Sequence, residues 1–192
     1  MKLQDLFKKR TLKDYIIYVS ILVGGVIIDQ ITKLLAVKYL IPVGSVPLIK
    51  FGNVQVLNLT YVENTGAAFG MLKDAPWVFN SISTIAIIVM LAYLFLGHAE
   101  SMLSGIALSM LISGGIGNMI DRIRLQYVVD MIYLDMFDFL SINTVFNAAD
   151  SFVCIGAALL VFALILEMKE EIKKEKLSKE AAINAHGEEG EE

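Results

Sequence analysis

A single cysteine and two histidines are all the chain offers of the side chains that most often build nucleophiles and metal sites. Cys154 lies inside an apolar run, which excludes a disulfide framework and any cysteine-spaced metal site. No HExxH or other histidine cluster suggests zinc, and no glycine loop has the spacing that cradles phosphate. Basic residues form no patch with interleaved aromatics, so nucleic acid is not an expected partner. Charge is also sparse. Only 19% of residues are Asp, Glu, Lys or Arg, and the acidity behind the net charge of −4 is concentrated in the C-terminal tail rather than on a binding face.

Hydrophobic length is what the chain has in abundance. The apolar fraction is 56% and the mean hydropathy is +0.66, well above an ordinary soluble domain. Four apolar runs approach or exceed the roughly 18–20 residues that cross a bilayer. The chain therefore reads as an integral membrane protein, mainly α, with four transmembrane helices. Its length suits one domain.

The first run follows a basic start (Lys2, Lys8, Lys9, Arg10, Lys13) and continues from Tyr15 to about Leu40. No A-x-A-like cleavage site ends it, so it reads as a retained helix rather than a cleaved signal. Asp29 and Lys33, in DQITK, stand four apart on one face near its outer end, either as an ion pair or in contact with a substrate. Residues 41–75 change texture. Pro42 and Pro47 break helix, VQVLNLTYVE (54–63) is β-branched and partly alternating, and NTGAAFG (64–70) supplies turn chemistry. This predicts a small amphipathic sheet on the outer face. The second helix runs from about Pro76, a suitable N1 proline, to Leu96, and the third from Met102 to Ile120 with many small residues for close packing. The fourth covers roughly Asp150–Met168. Residues 1–168 then form the membrane domain, and 169–192 a charged, solvated tail that starts helical and frays. Five basic residues precede the first helix and five follow the fourth, so the positive-inside rule puts both termini in the cytoplasm.

The segment 114–156 concentrates the chemistry. It carries Asn118, Asp121, Arg122, Asp130, Asn147 and Asp150 to a bilayer boundary, where polar groups are costly unless partnered or functional. His98 lies in a cytoplasmic loop and His186 in the tail, so neither reaches this outer site and no Ser–His or Cys–His nucleophile is available there. What remains is carboxylate, amide and guanidinium. Asp130 and Asp150 look like a pair that shares one proton, the ionised member activating water while the protonated one polarises a carbonyl. The plainer alternatives are a capping aspartate at 150 and a water-exposed loop carboxylate at 130. Asp135 and Asp138 are competing acids, or the polar face of an interfacial segment. Asn118, Asp121 and Arg122, spaced i, i+3 and i+4, share a helix face, either contacting an extended substrate or satisfying one another.

These blocks resemble one family, the lipoprotein signal peptidases or signal peptidases II. DQITK (29–33), NTGAAFG (64–70), GNMIDR (117–122), VVD (128–130) and FNAAD (146–150) occur in the family's order against four helices of the family's length. The resemblance implies an aspartyl endopeptidase of the bacterial plasma membrane that removes the signal peptide of prolipoproteins, cutting before a diacylglyceryl-modified cysteine. It implies Asp130 and Asp150 as the catalytic aspartates, with Asn64, Asn118, Arg122 and Asn147 positioning substrate and Asp29, Lys33 and Asp121 in support. It also implies an extracytoplasmic β-cradle over residues 41–75, and no metal or cofactor. The expected partners are the lipid-modified precursor and membrane lipids, with the chain acting as a monomer. Met131 stands where many members have Phe, which bears on the shape of a cover over the site; the cradle and residues 131–140 could close on the peptide. Two rival readings are an ion-coupled transporter or channel, which would carry polar residues deep in its helices, and a membrane-anchored assembly protein with structural acids.

Overall fold

The computed structural model describes residues 10–51, 54–65, 76–134 and 144–188. Most of the NTGAAFG block, together with Asp135 and Asp138, lies outside them, as does most of the 131–140 cover.

Helix α1 (Leu12–Val43) starts at Thr11, whose hydroxyl accepts the Asp14 N–H while the Asp14 carboxylate accepts the Thr11 N–H at 2.8 Å. This reciprocal cap satisfies two of the amide donors a helix start leaves open. The expected break at Pro42 does not occur. Pro42 is the penultimate residue of α1, where the bond it cannot donate is among the last of the helix, and the turn ends only at Gly44 with φ of 82°. The Gly44 N–H closes onto the Leu40 carbonyl at 2.7 Å.

Helix α2 (Pro76–Phe95) begins on its proline, as expected. Helix α3 (Met102–Leu125) is capped by Ser101 and runs five residues beyond the expected end. Helix α4 (Ala148–Glu188) runs on past Met168 through the charged segment, whose start was expected to be helical, and reaches Glu188. Among the described residues α1, α3 and α4 are long and apolar enough to cross a membrane, and α2 adds a shorter apolar helix over Asn80–Phe95.

Helix α3 is the axis of the packing. Over half of its most apolar stretch is buried, against 17% for α1 and 11% for α4. The rows of exposed Ile, Leu and Val on α1 and α4 are the surface that lipid would cover. The small residues of α3 allow this centrality. Gly105 lies under the Tyr18 ring of α1, Gly114 against the Ala149 backbone of α4, and Gly117 beside Asp29 and Ala149 together.

At one end of the helices sits a four-stranded antiparallel sheet, β1 (Val46–Phe51), β2 (Val54–Asn64), β3 (Val128–Leu134) and β4 (Thr144–Phe146), in that order. Pro47 is tolerated because β1 is an edge strand. The sheet expected within residues 41–75 is only half of the one observed. VVDMIYL and TVF complete it, through pairing with β2 that no local pattern announces. A register shift between Leu59 and Val62 sets Val62 opposite Asp130 and Asn64 opposite Val128. This strand pairing brings Asp130 to the helix ends. Behind β3, Ala36 and Leu40 of α1 pack on Val129 and Met131.

Candidate active site

The site is built on a buried ion pair that becomes a triad. Lys33 meets Asp29 at 2.9 Å, the i, i+4 contact expected from DQITK, and also Asp121 of α3 at 3.0 Å. All three side chains are essentially removed from solvent. Charges so buried need full hydrogen bonding, and they have it. Asp29 Oδ1 accepts the Ala149 N–H at the start of α4 at 2.9 Å, and Asp121 Oδ2 accepts the Val129 N–H of β3 at 3.1 Å. One cluster thus ties α1, α3, α4 and β3 together beneath the polar site.

Asn147 is the hub above it. Its Oδ1 accepts the Asp150 N–H at 2.9 Å, while the Asp150 carboxylate accepts the Asn147 N–H at 3.1 Å. This is a capping box at the start of α4, where the helix dipole also favours an anion. Asp150 is therefore a capping aspartate, as the plainer alternative held, and its other oxygen still faces α3. Asn118 Nδ2 donates to that oxygen at 2.8 Å.

Asp130, on β3, is fully buried and not the water-exposed loop carboxylate of the alternative reading. Asn147 Nδ2 donates to its Oδ1 at 2.7 Å and Asn64 Nδ2 to its Oδ2 at 2.8 Å. Burial pushes the Asp130 carboxyl up to about 6 from 3.8. The Asn64 donor opposes the rise, the nearby Asp150 charge adds to it, and the Asn147 donor and Lys33 oppose it. Asn147 connects the two acids through its side chain and its backbone, so residues twenty positions apart form one cluster. The half-buried Arg122 acts electrostatically on Asp150, Asp130 and Asp121.

All nine residues singled out from the sequence fall in this cluster or its support. Asn118, Asp121 and Arg122 share a helix face, but Asp121 turns to Lys33 and the Val129 amide while Asn118 turns to Asp150. One member went unnoticed. Gln30 donates to Asp29, to Asp121 and to the Gly117 carbonyl, each at 3.2 Å, and accepts from Arg124 at 3.4 Å. A long amide beside two ionisable groups in an apolar run was its signal.

Chemically, the cluster offers two carboxylates joined through Asn147, one pushed by burial toward its protonated form, among amide donors and a guanidinium. Fold and site together define a polytopic membrane protein with a carboxylate–amide centre at the junction of helices and sheet. A family model described as signal peptidase (SPase) II matches residues 21–166. The chain is 45% identical over 142 residues to a lipoprotein signal peptidase of Caldanaerobacter subterraneus subsp. tengcongensis, covering 74% of this chain and 91% of that one. It is 40% identical over 159 residues to a lipoprotein signal peptidase of Clostridium tetani, covering 81% and 97%. A bacterial membrane enzyme solved by the in meso method superposes with a TM-score of 0.67 at 30% identity, covering 85% of this chain and 94% of that one. The chain belongs to the signal peptidase II family. It is a bacterial membrane protein of a protease family.

Proposed function

We propose that the chain is an aspartyl endopeptidase that removes the signal peptide from diacylglyceryl-modified prolipoproteins, cleaving before the lipid-modified cysteine. The name carried by the relatives, lipoprotein signal peptidase, supports the substrate class. The observation that carries the chemistry is the bridging of Asp130 and Asp150 through Asn147.

The reaction needs one proton between the two acids. Each of their four oxygens accepts an amide donor, two from Asn147 and one each from Asn64 and Asn118. None of these donors can receive a proton from Asp130, so a protonated Asp130 would direct its O–H to the substrate carbonyl. The Asp150 anion then takes a proton from water as the water oxygen bonds to the carbonyl carbon. Asp130 gives its proton to the carbonyl oxygen, forming a neutral tetrahedral diol. Collapse breaks the C–N bond, with the proton on Asp150 passing to the leaving amine and a diol proton returning to Asp130. Arg122 and the amides of Asn64, Asn118 and Asn147 position the peptide, while Asp29, Lys33 and Asp121 hold the helix ends that carry them. The basic flanks of α1 and α4 support cytoplasmic termini and an extracytoplasmic site.

The test is direct. Purified protein in lipid bilayers should shorten a diacylglyceryl-modified precursor, with a new N-terminus at the modified cysteine by mass spectrometry. An unmodified precursor should remain intact. Cleavage elsewhere, or equal cleavage of both precursors, would sink this reading.

A further inference from the structure

The two amides nearest Asp150 have no freedom of orientation, for reasons that can be read atom by atom. An Asn side chain presents an acceptor on one side and donors on the other, and a neighbour that can only donate decides which way it turns. For Asn147 that neighbour is the Asp150 N–H, which claims Oδ1 and leaves Nδ2 for Asp130. For Asn118 it is the Lys33 ammonium, 2.9 Å from Oδ1, reinforced by Asn147 Nδ2 at 3.0 Å on the same oxygen. Nδ2 of Asn118 is thereby left for Asp150, at 2.8 Å. Were Asn118 turned over, its Oδ1 would face a carboxylate oxygen, an arrangement tolerable only if a proton lay between them.

Lys33 itself is held by Asp29 and Asp121, and does not touch either proposed catalytic acid among its hydrogen-bonded and ionic partners. We infer that Lys33 is a positioning residue that locks the Asn118 amide with its donor toward Asp150, and so sets the pH at which the dyad first becomes active. This rests on the proposed peptidase reading. Its basis is the chain of contacts Asp29/Asp121–Lys33–Asn118–Asp150, which runs from α1 through α3 to α4.

Other charges face the dyad, and a test must separate them from the amide. Arg122 and Asp121 come from α3, Lys33 and Asp29 from α1, Asp130 from β3 and Asp150 from α4. From β2 comes the neutral Asn64, while Glu63 accepts from Tyr61. Replacing Lys33 alone would strand two buried carboxylates, so Lys33→Met by itself does not separate a folding defect from a lost positioning role. The triple variant Lys33→Met/Asp29→Asn/Asp121→Asn avoids this. Its Asn residues keep an oxygen for the Ala149 and Val129 amides. It also removes a net negative charge, and the signs then separate. The lost field alone would move the pH dependence of cleavage down, because nearby negative charge makes carboxylates hold protons. A released Asn118 amide would move the acid limb up, because Asp150 would lose a donor to its anion.

The experiment is the pH profile of kcat for a lipidated precursor, together with the affinity for a non-cleavable lipopeptide, in wild type and triple variant. The expected result is an acid limb displaced upward by about one pH unit, the size of one lost charge-assisted hydrogen bond, with lipopeptide affinity within about threefold. An unmoved or lowered acid limb overturns the role of Lys33. The matching control is Asp29→Asn/Asp121→Asn with Lys33 kept, whose acid limb should not rise; an equal rise there also overturns it. Failure of the wild type to cleave would instead sink the peptidase reading itself.

Discussion

Asn147 and Asp150 cap one another, side chain to backbone in both directions, at 2.9 and 3.1 Å. The same Asn147 amide reaches Asp130 at 2.7 Å, so the device that begins α4 also aligns the two acids. The structural role and the proposed chemical one fall on the same atoms. Substitutions here are informative only when folding and turnover are measured together.

Asp130→Asn and Asp150→Asn should each reduce precursor cleavage by at least about a thousandfold, since each removes one of the two proposed proton-transfer groups. Both proteins should still insert, because Asn at either position retains a hydrogen-bonding oxygen. A gel shift of the lipidated precursor, beside size-exclusion profiles of the variants, checks this. Near-normal turnover in either variant would dismiss that residue from the dyad.

The raised Asp130 carboxyl makes a pH prediction for activity. With Asp130 holding its proton up to about pH 6, kcat should decline on the alkaline side as that proton is lost. Asn64→Ala removes a donor that favours the Asp130 anion. Its alkaline limb should therefore move to higher pH, with kcat reduced about tenfold by the lost positioning. A limb moving to lower pH would contradict the assignment of the proton to Asp130.

The same shift has a consequence for stability, with a definite sign. The folded state binds the Asp130 proton up to about 6, whereas an unfolded Asp releases it near 3.8. Stability therefore falls as pH rises through that window, by at most about 3 kcal/mol, and the penalty is complete above it. In Asp130→Asn this component should vanish. Comparing the Tm of the two proteins in detergent at pH 4 and pH 7.5 tests it, and identical pH dependences would count against the burial argument.

Gly117 and Gly24 make a matched pair for the helix junction. A Cβ on Gly117 would lie 2.5 Å from Asp29 Oδ2 and 3.2 Å from Ala149 Cβ, whereas one on Gly24 meets nothing within 4 Å. Gly117→Ala should cost about 1–3 kcal/mol through overpacking and lower activity by disturbing the Asp29–Lys33–Asp121 cluster. Gly24→Ala should leave Tm unchanged or raised, since Ala favours helix over Gly by about 1 kcal/mol. Equal tolerance at both positions would mean the three helices do not meet as closely as described.

Much of the architecture was legible from residue order because it depends on short-range physics. The start of α2 at Pro76, the Asp29–Lys33 contact and the small-residue face of α3 all follow from helix periodicity and backbone preference. The errors have equally physical causes. Pro42 looked like a helix breaker because its ring disrupts a helix interior, yet near the C-terminal end little remains to disrupt. Strand β3 escaped notice because an apolar run such as VVDMIYL gains its strand character from its partners, β2 and β4, rather than from alternation.

Sequence by itself determined the solvent of this protein, its helices and the inventory of polar groups at their ends, since hydrophobic length and the i, i+4 rule act within one segment. Tertiary structure alone decided that Lys33 takes a second carboxylate from 88 residues away, that Gln30 joins it, and that Asn147 links Asp130 to Asp150. Those choices depend on how closely α1, α3 and α4 approach and on the register of β3 against β2. Each of these is settled by packing between distant segments, and no local pattern encodes it.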